Sequence, residues 1–187
     1  LTKIDANVDR ASRIISHMRE FARKSDKKLL PVQLNDILKR AFEIFSQQLK
    51  IRGIEVVWDT VRDLPGVLGD PDRLEQVFIN LLINARDAIE EKWAGTAYSD
   101  QDKRLTLRSR TGAGKVAVEV CDTGGGIPES IRQKIFEPFF TTKEVGKGTG
   151  LGLSISYGIV KDCGGHIEAR SNPDGGTCFV LSFPQWK

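Results

Sequence analysis

Residues 71–92, PDRLEQVFINLLINARDAIEEK, constrain the fold most. Leu74, Val77, Phe78, Leu81, Leu82, Ala85, Ala88 and Ile89 recur at helical spacing and make one broad apolar face. Asp70 or Asp72 can cap the start, with Pro71 in the first turn. A helix this apolar on one side needs an apolar layer to lie on. The rest of the chain supplies strands for that layer. GIEVVWD (53–59) reads as a strand. RLTLRSR (104–110) and KVAVEVCD (115–122) alternate apolar and polar residues and are joined by TGAG, as in a hairpin. HIEARSN and TCFVLSF form a second hairpin around PDGG. Asn35 can cap a helix running to Lys50, ESIRQKIFEPFF reads as the start of a short helix, and Gly164 and Gly165 end a helix over LGLSISYGIVKDCG. This order predicts an α+β fold: a two-layer α/β sandwich with one mixed sheet and helices on one face.

A separate element precedes it. Leu1, Ile4, Val8, Ala11, Ile15, Met18 and Ala22 keep the alternating three- and four-residue spacing of a helical seam. The charged run KSDKK (24–28) follows as a solvated linker. The boundaries read as a partial helical-bundle segment over 1–26 and a globular domain over 27–187, in a piece cut from a longer protein. The net charge of +3 is scattered, which argues against nucleic acid as a partner. No apolar run is long enough to span a bilayer. Cys121, Cys163 and Cys178 show no paired spacing, so neither a disulfide framework nor zinc is expected. A reducing cytosolic setting fits, with Cys121 a small buried strand residue.

Two features remain once the fold is accounted for. On the helix 71–92, Gln76, Asn80, Asn84 and Asp87 form a second, polar stripe beside the apolar face. Asparagine disfavours helix by about 0.5 kcal/mol relative to alanine. Two of them one turn apart are either solvent-exposed or present amide oxygens to a cation or phosphate. The second feature is glycine. DTGGGIP (122–128) follows a strand, and a carboxylate there can accept a hydrogen bond from an exocyclic amine. In GKGTGLGLS (146–154) glycines alternate just before a helix, where free N–H groups can receive phosphate. Neither G-x-x-x-x-G-K-[ST] nor a strand-borne G-x-G-x-x-G is present.

Taken in order, EQVFINLLINARDAI, DTGGGIP, FEPFFTTK, GTGLGLS and GGT resemble the N box, glycine boxes and F box of sensor histidine kinases. The resemblance covers about residues 31–184 and implies the Bergerat ATP-binding fold shared with DNA gyrase and MutL. The first helix is similar to the second helix of the dimerisation and phosphotransfer domain of those kinases. The resemblance implies ATP and Mg²⁺ as ligands. Asp122 would bind the adenine amino group, with Gly124, Gly126 and Ile127 close to the base and Thr177 at the adenine end. Asn84 would contribute to Mg²⁺, with Asn80 and Gln76 as neighbouring catalytic residues and Asp87 beside them. Gly148, Thr149, Gly150, Leu151, Gly152 and Leu153 would form the lid over the triphosphate. Phe140, Thr141 and Thr142 would lead into it, and Lys143 and Lys147 would reach phosphate. Phe136, Phe139 and Phe140 would anchor its hinge. Many relatives carry a basic residue at Asp87, so a cationic role fails at that point.

Hydrolysing relatives carry a glutamate base where this chain has Asn80, and an amide cannot take a proton from water. The resemblance therefore implies a pocket that holds Mg·ATP while a histidine attacks. The accepting histidine is expected before residue 1, because His17 lies off the helical seam and precedes Met18 rather than an acidic residue. His166 sits at a strand start. Implied partners are a response regulator receiver domain and a second copy through the bundle. The setting the resemblance implies is cytoplasmic, with any inner-membrane anchor expected outside these residues. A kinase of the same fold with another acceptor, and a non-catalytic nucleotide-binding scaffold, remain open as alternatives.

Overall fold

The computed structural model describes residues 29–94, 103–144 and 148–186. The bundle segment 1–26 and Lys147 lie outside the described residues. The described chain runs β1 (Leu30–Val32), α1 (Leu34–Ile51), β2 (Glu55–Asp59), β3 (Val67–Gly69) and α2 (Pro71–Trp93), then β4 (Arg104–Gly112) and β5 (Lys115–Asp122). Two single 3₁₀ turns, Glu129–Ile131 and Lys134–Phe136, lead to α3 (Gly152–Asp162), β6 (His166–Ser171) and β7 (Thr177–Pro184). A five-stranded sheet has the order β2-β4-β5-β7-β6. Only the β2–β4 pair is parallel, because α2 lies between those strands and carries the chain back across the sheet. β1 and β3 form a small antiparallel ladder that the sequence patterns did not reveal.

All three helices cover one face of the sheet. The buried side of α2 (Leu74, Val77, Phe78, Leu81, Leu82, Ala85, Ile89) meets Leu105 and Leu107 of β4, Val116, Val118 and Val120 of β5, and Leu181 and Phe183 of β7 in one core. Asp70 caps α2 as expected, its Oδ1 accepting from the backbone N–H groups of Asp72 (3.1 Å) and Arg73 (3.2 Å). Along β5 and β7 alternate residues point to opposite faces. Asp122 and Thr177 therefore turn toward the helices, and their neighbours Cys121 and Cys178 turn away.

Four local expectations are corrected. Asn35 does not cap α1: the cap position is Gln33, without a side-chain bond, while Asn35 Nδ2 donates to the Val61 carbonyl at 2.8 Å. The turn of the first hairpin is only Ala113–Gly114, both at positive φ (49° and 70°), so β4 extends through Gly112. Residues 129–140 form no α-helix, only the two 3₁₀ turns, and Glu137, the residue before Pro138, is extended (φ −74°, ψ 139°), which ends the segment. Finally, Cys121 and Cys178, 57 positions apart, are joined as a disulfide. Sequence spacing could not reveal this, since the sheet register places the two directly opposite. Cys121 is buried on its strand as expected, and Cys163 is a buried free thiol.

Candidate nucleotide-binding site

The polar stripe of α2, the loop after β5, the segment 140–153 and the start of β7 line one cleft of about 920 Å³. Its floor is apolar, with Ile79, Ile83, Ile127, Ile135 and Phe179 among the lining residues.

Asp122 occupies the closed end, 2 % exposed. Its Oδ1 accepts the backbone N–H of Gly124 (2.8 Å) and of Thr177 (3.2 Å). Both bonds fall on one oxygen, so Oδ2 is left to accept from a ligand amine. Asn172 Nδ2 donates to the Asp122 carbonyl at 2.8 Å, and Lys92 Nζ donates to the Thr123 carbonyl at 2.8 Å. Burial pushes the Asp122 carboxyl up to about 6; the two backbone donors and Lys92 only partly oppose this. Gly176 makes the close packing possible. It has φ +84°, and a Cβ there would sit 2.3 Å from the Asp122 carbonyl oxygen and 2.6 Å from the Gly124 nitrogen.

On the α2 wall, Asn80 Nδ2 donates to Ser156 Oγ of α3 at 3.0 Å. A Cβ on Gly152 would lie 2.3 Å from Asn80 Oδ1, so the start of α3 rests directly against this amide. Asn84 lines the cleft, and its amide has no hydrogen-bond partner among the described residues. An unpaired amide oxygen in a polar wall fits a hard cation that also takes phosphate and water oxygens. Gln76 lines the cleft at the same wall.

The far end is held by charge. Lys143 Nζ pairs with Asp87 Oδ2 at 2.6 Å, and Arg86 donates to Asp87 Oδ1 from Nη2 at 2.6 Å and from Nε at 3.0 Å. Burial pushes the Asp87 carboxyl up, but the hydrogen bonds from Lys143 and Arg86 outweigh it and hold it below the usual range. Lys143 thus places an ammonium group beside position 87. Thr141 Oγ1 accepts the Lys143 backbone N–H at 3.2 Å, and Thr149 Oγ1 accepts that of Leu151 at 3.4 Å. The first turn of α3 has no side-chain cap bond, and its first residues, Gly152 and Leu153, line the cleft.

Most sequence-predicted residues converge here: Gln76, Asn80, Asn84, Asp87, Asp122, Gly126, Ile127, Phe140, Thr141, Thr142, Lys143, Gly148, Thr149, Gly150, Gly152, Leu153 and Thr177 all line the cleft. Two do not. Gly124 backs Asp122 from behind, and Leu151 turns its apolar side chain into the core at 5 % exposure. The aromatic hinge is also divided. Phe136 and Phe140 pack on the core, whereas Phe139 is 68 % exposed and contributes backbone, its N–H donating to the Gly150 carbonyl at 2.9 Å. Sequence reasoning missed Lys92, Ala88, Asn172 and Gly176. Lys92 reads only as a favourable cation at a helix end, and nothing in NPDGG marks Asn172 as a brace for Asp122.

The model of the histidine kinase-, DNA gyrase B-, and HSP90-like ATPase family matches residues 69–187. The two-component sensor PprA of Pseudomonas aeruginosa is 40 % identical over 184 residues, which cover 98 % of this chain and 20 % of PprA. The chain thus spans about one fifth of the length of that relative. The catalytic domain of histidine kinase ThkA superposes with a TM-score of 0.71 at 31 % identity, covering 84 % of this chain and 96 % of that domain. ThkA in complex with response regulator protein TrrA matches with a TM-score of 0.71 at 27 % identity, over 96 % of this chain and 49 % of that one. Five boxes in order, the mixed sheet with its helices on one face, and these likenesses lead to one assignment: the chain belongs to the histidine kinase-, DNA gyrase B- and HSP90-like ATPase family, as the ATP-binding domain of a sensor histidine kinase.

Proposed function

We propose that this domain holds Mg·ATP with its γ-phosphoryl group exposed for transfer to a histidine that is neither His17 nor His166, and that the phosphoryl group passes on to an aspartate of a response regulator. The observation that carries the reading is the polarity of the cleft: a buried carboxylate at the closed end, and a lysine with an uncapped helix start at the open end. Asp122 Oδ2 accepts the adenine amino group, and Thr177 and Ile127 border the base. Lys143 exchanges Asp87 for phosphate, and the N–H groups at the uncapped start of α3 receive phosphate oxygens. The Asn84 amide oxygen holds Mg²⁺, which neutralises charge on the phosphates. Asn80, tied to Ser156, fixes α3 against α2 and offers no base to activate water. Catalysis then rests on positioning and charge neutralisation.

The partner is proposed by analogy with ThkA, which has been solved with its response regulator. A homodimer through a bundle to which residues 1–26 contribute the second helix belongs to the same proposal. Among the described residues no helix is long and apolar enough to cross a membrane.

The test is calorimetric titration with Mg·ATP. Binding in the micromolar range, on the order of −6 to −8 kcal/mol, is expected. It should be nearly abolished in Asp122→Asn and weakened in its magnesium-dependent part in Asn84→Ala. Wild-type protein that binds no nucleotide would sink the proposal. Transfer of labelled phosphate to a histidine, once the upstream bundle helix is supplied, tests the second half.

A further inference from the structure

Behind the base end, on the sheet face turned away from the helices, Cys121 of β5 and Cys178 of β7 lie opposite each other with Cα atoms 3.9 Å apart, joined as a disulfide. With Val180 they form a small buried cluster separate from the main core. Charged side chains flank the sulfurs. Arg108 Nη1 of β4 is 3.7 Å from Cys121 Sγ, and Glu119 Oε2 of β5 is 3.9 Å from Cys178 Sγ. Each cysteine is the immediate chain neighbour of a base-end residue: Cys121 precedes Asp122, and Cys178 follows Thr177. The Thr177 N–H donates to Asp122 Oδ1.

We propose that Cys121 and Cys178 form a dithiol–disulfide exchange site whose oxidation state sets the affinity of the base end for nucleotide. Cys121 is 1 % exposed, so exchange proceeds when the paired ends of β5 and β7 open; the Arg108 guanidinium, which Glu119 (3.7 Å) and Asp59 (3.6 Å) share, then favours the Cys121 thiolate as the attacking sulfur. Its thiolate attacks one sulfur of a low-molecular-weight disulfide such as oxidised glutathione, forming a mixed disulfide and releasing one small thiolate. Cys178 then passes its proton to Glu119 and on to solvent. Its thiolate attacks Cys121 Sγ and expels the second small thiolate. Two protein thiols are oxidised to one disulfide, and one small disulfide is reduced to two thiols, which take up the two protons.

The coupling follows from position. A covalent link one residue from both Asp122 and Thr177 fixes the strand separation at which their hydrogen bond is made. Unbonded sulfurs at the same positions keep van der Waals distance, so reduction moves the strand ends apart and loosens the Thr177 donor. The disulfide form is therefore the tighter binder. Cys163 is buried at the end of α3 against the start of α2, where Asp70 and Arg73 bear on it, and takes no part.

The affinity readout rests on the nucleotide reading above, whereas the exchange chemistry does not. The chain is equilibrated with oxidised or reduced glutathione. Its thiols are then counted by alkylation and intact mass, and Mg·ATP binding is measured in each state. The expected result is loss of two alkylatable thiols on oxidation, with binding at least about threefold tighter in the disulfide form. The Cys121→Val/Cys178→Val double variant should bind with one affinity in both buffers, and Cys163→Ser should keep the difference. Cys178→Ala alone serves the same purpose if the double variant does not fold. Equal affinities of the two wild-type forms, thiols that resist oxidation, or a difference that survives in the double variant would each overturn the proposal. Binding absent in both states despite exchange would defeat the nucleotide reading and the coupling, and leave the exchange site standing.

Discussion

At the base end of the cleft, Asp122 is 2 % exposed and the groups that hold its carboxylate are backbone N–H donors. At the phosphate end, Lys143 and Asp87 meet through an ion pair whose side chains remain 30 % and 28 % exposed. The first arrangement is built by strand register and tolerates almost no change in shape. The second is held by side-chain charges in partial contact with water, where a pair contributes about 1 kcal/mol or less. In the proposed binding mode a ligand meets its base against a preformed surface, and its phosphates compete for a lysine that is already paired.

The largest expected effect breaks the base end. Asp122→Asn should lower Mg·ATP affinity about a hundredfold, since a charge-assisted bond in a buried site is lost. The same substitution should raise the stability of the nucleotide-free fold. The folded carboxyl titrates at about 6 against an ordinary 3.8, so the folded state binds the proton more tightly than the unfolded state. This group's contribution to stability is full below about 3.8 and is lost as pH rises through 6, a span of about 3 kcal/mol. Nucleotide affinity runs the other way and falls as pH drops through 6. Thermal unfolding and calorimetry across pH 4.5–8 check both signs; an Asp122→Asn variant less stable than wild type at pH 7 would refute the first.

Next in size is Gly176→Ala. A Cβ placed at positive φ and 2.3 Å from the Asp122 carbonyl oxygen should cost about 1–3 kcal/mol of unfolding free energy in a denaturant titration. The phosphate end should respond less and more selectively. Lys143→Met is expected to weaken ATP binding up to about tenfold while leaving adenosine binding unchanged, and added salt should shrink the difference. Equal losses for both ligands would erase the contrast between the two ends. The smallest effect sharpens it: Lys92→Met removes a cation near Asp122 and should move the pH midpoint of nucleotide binding upward, with little change in affinity at pH 8.

Much of the site was legible in the sequence because its chemistry is concentrated in contiguous runs. The stripe from Gln76 to Asp87 follows from helical periodicity alone, and DTGGGIP and GTGLGLS announce positions where backbone approaches a ligand. The short strands β1 and β3 were not legible, since three residues carry no periodicity. The segment after Pro128 looked helical because ESIRQKIF has helical composition, yet Pro138 stops it at two 3₁₀ turns. Lys143 reads as one of two lysines, with Lys147, that would reach phosphate; its pairing with Asp87 depends on how the chain folds back across 56 positions.

The sequence by itself determined the family, the layer architecture and the identity of most cleft residues, because periodicity and local motifs are properties of neighbouring positions. Tertiary structure alone decided which groups become coupled. Strand register set Cys121 against Cys178 and brought the Thr177 N–H to Asp122, and burial, a property of the whole core, moved that carboxyl to about 6. Those couplings join residues some fifty positions apart, and no local pattern encodes a distance that only the closed sheet creates.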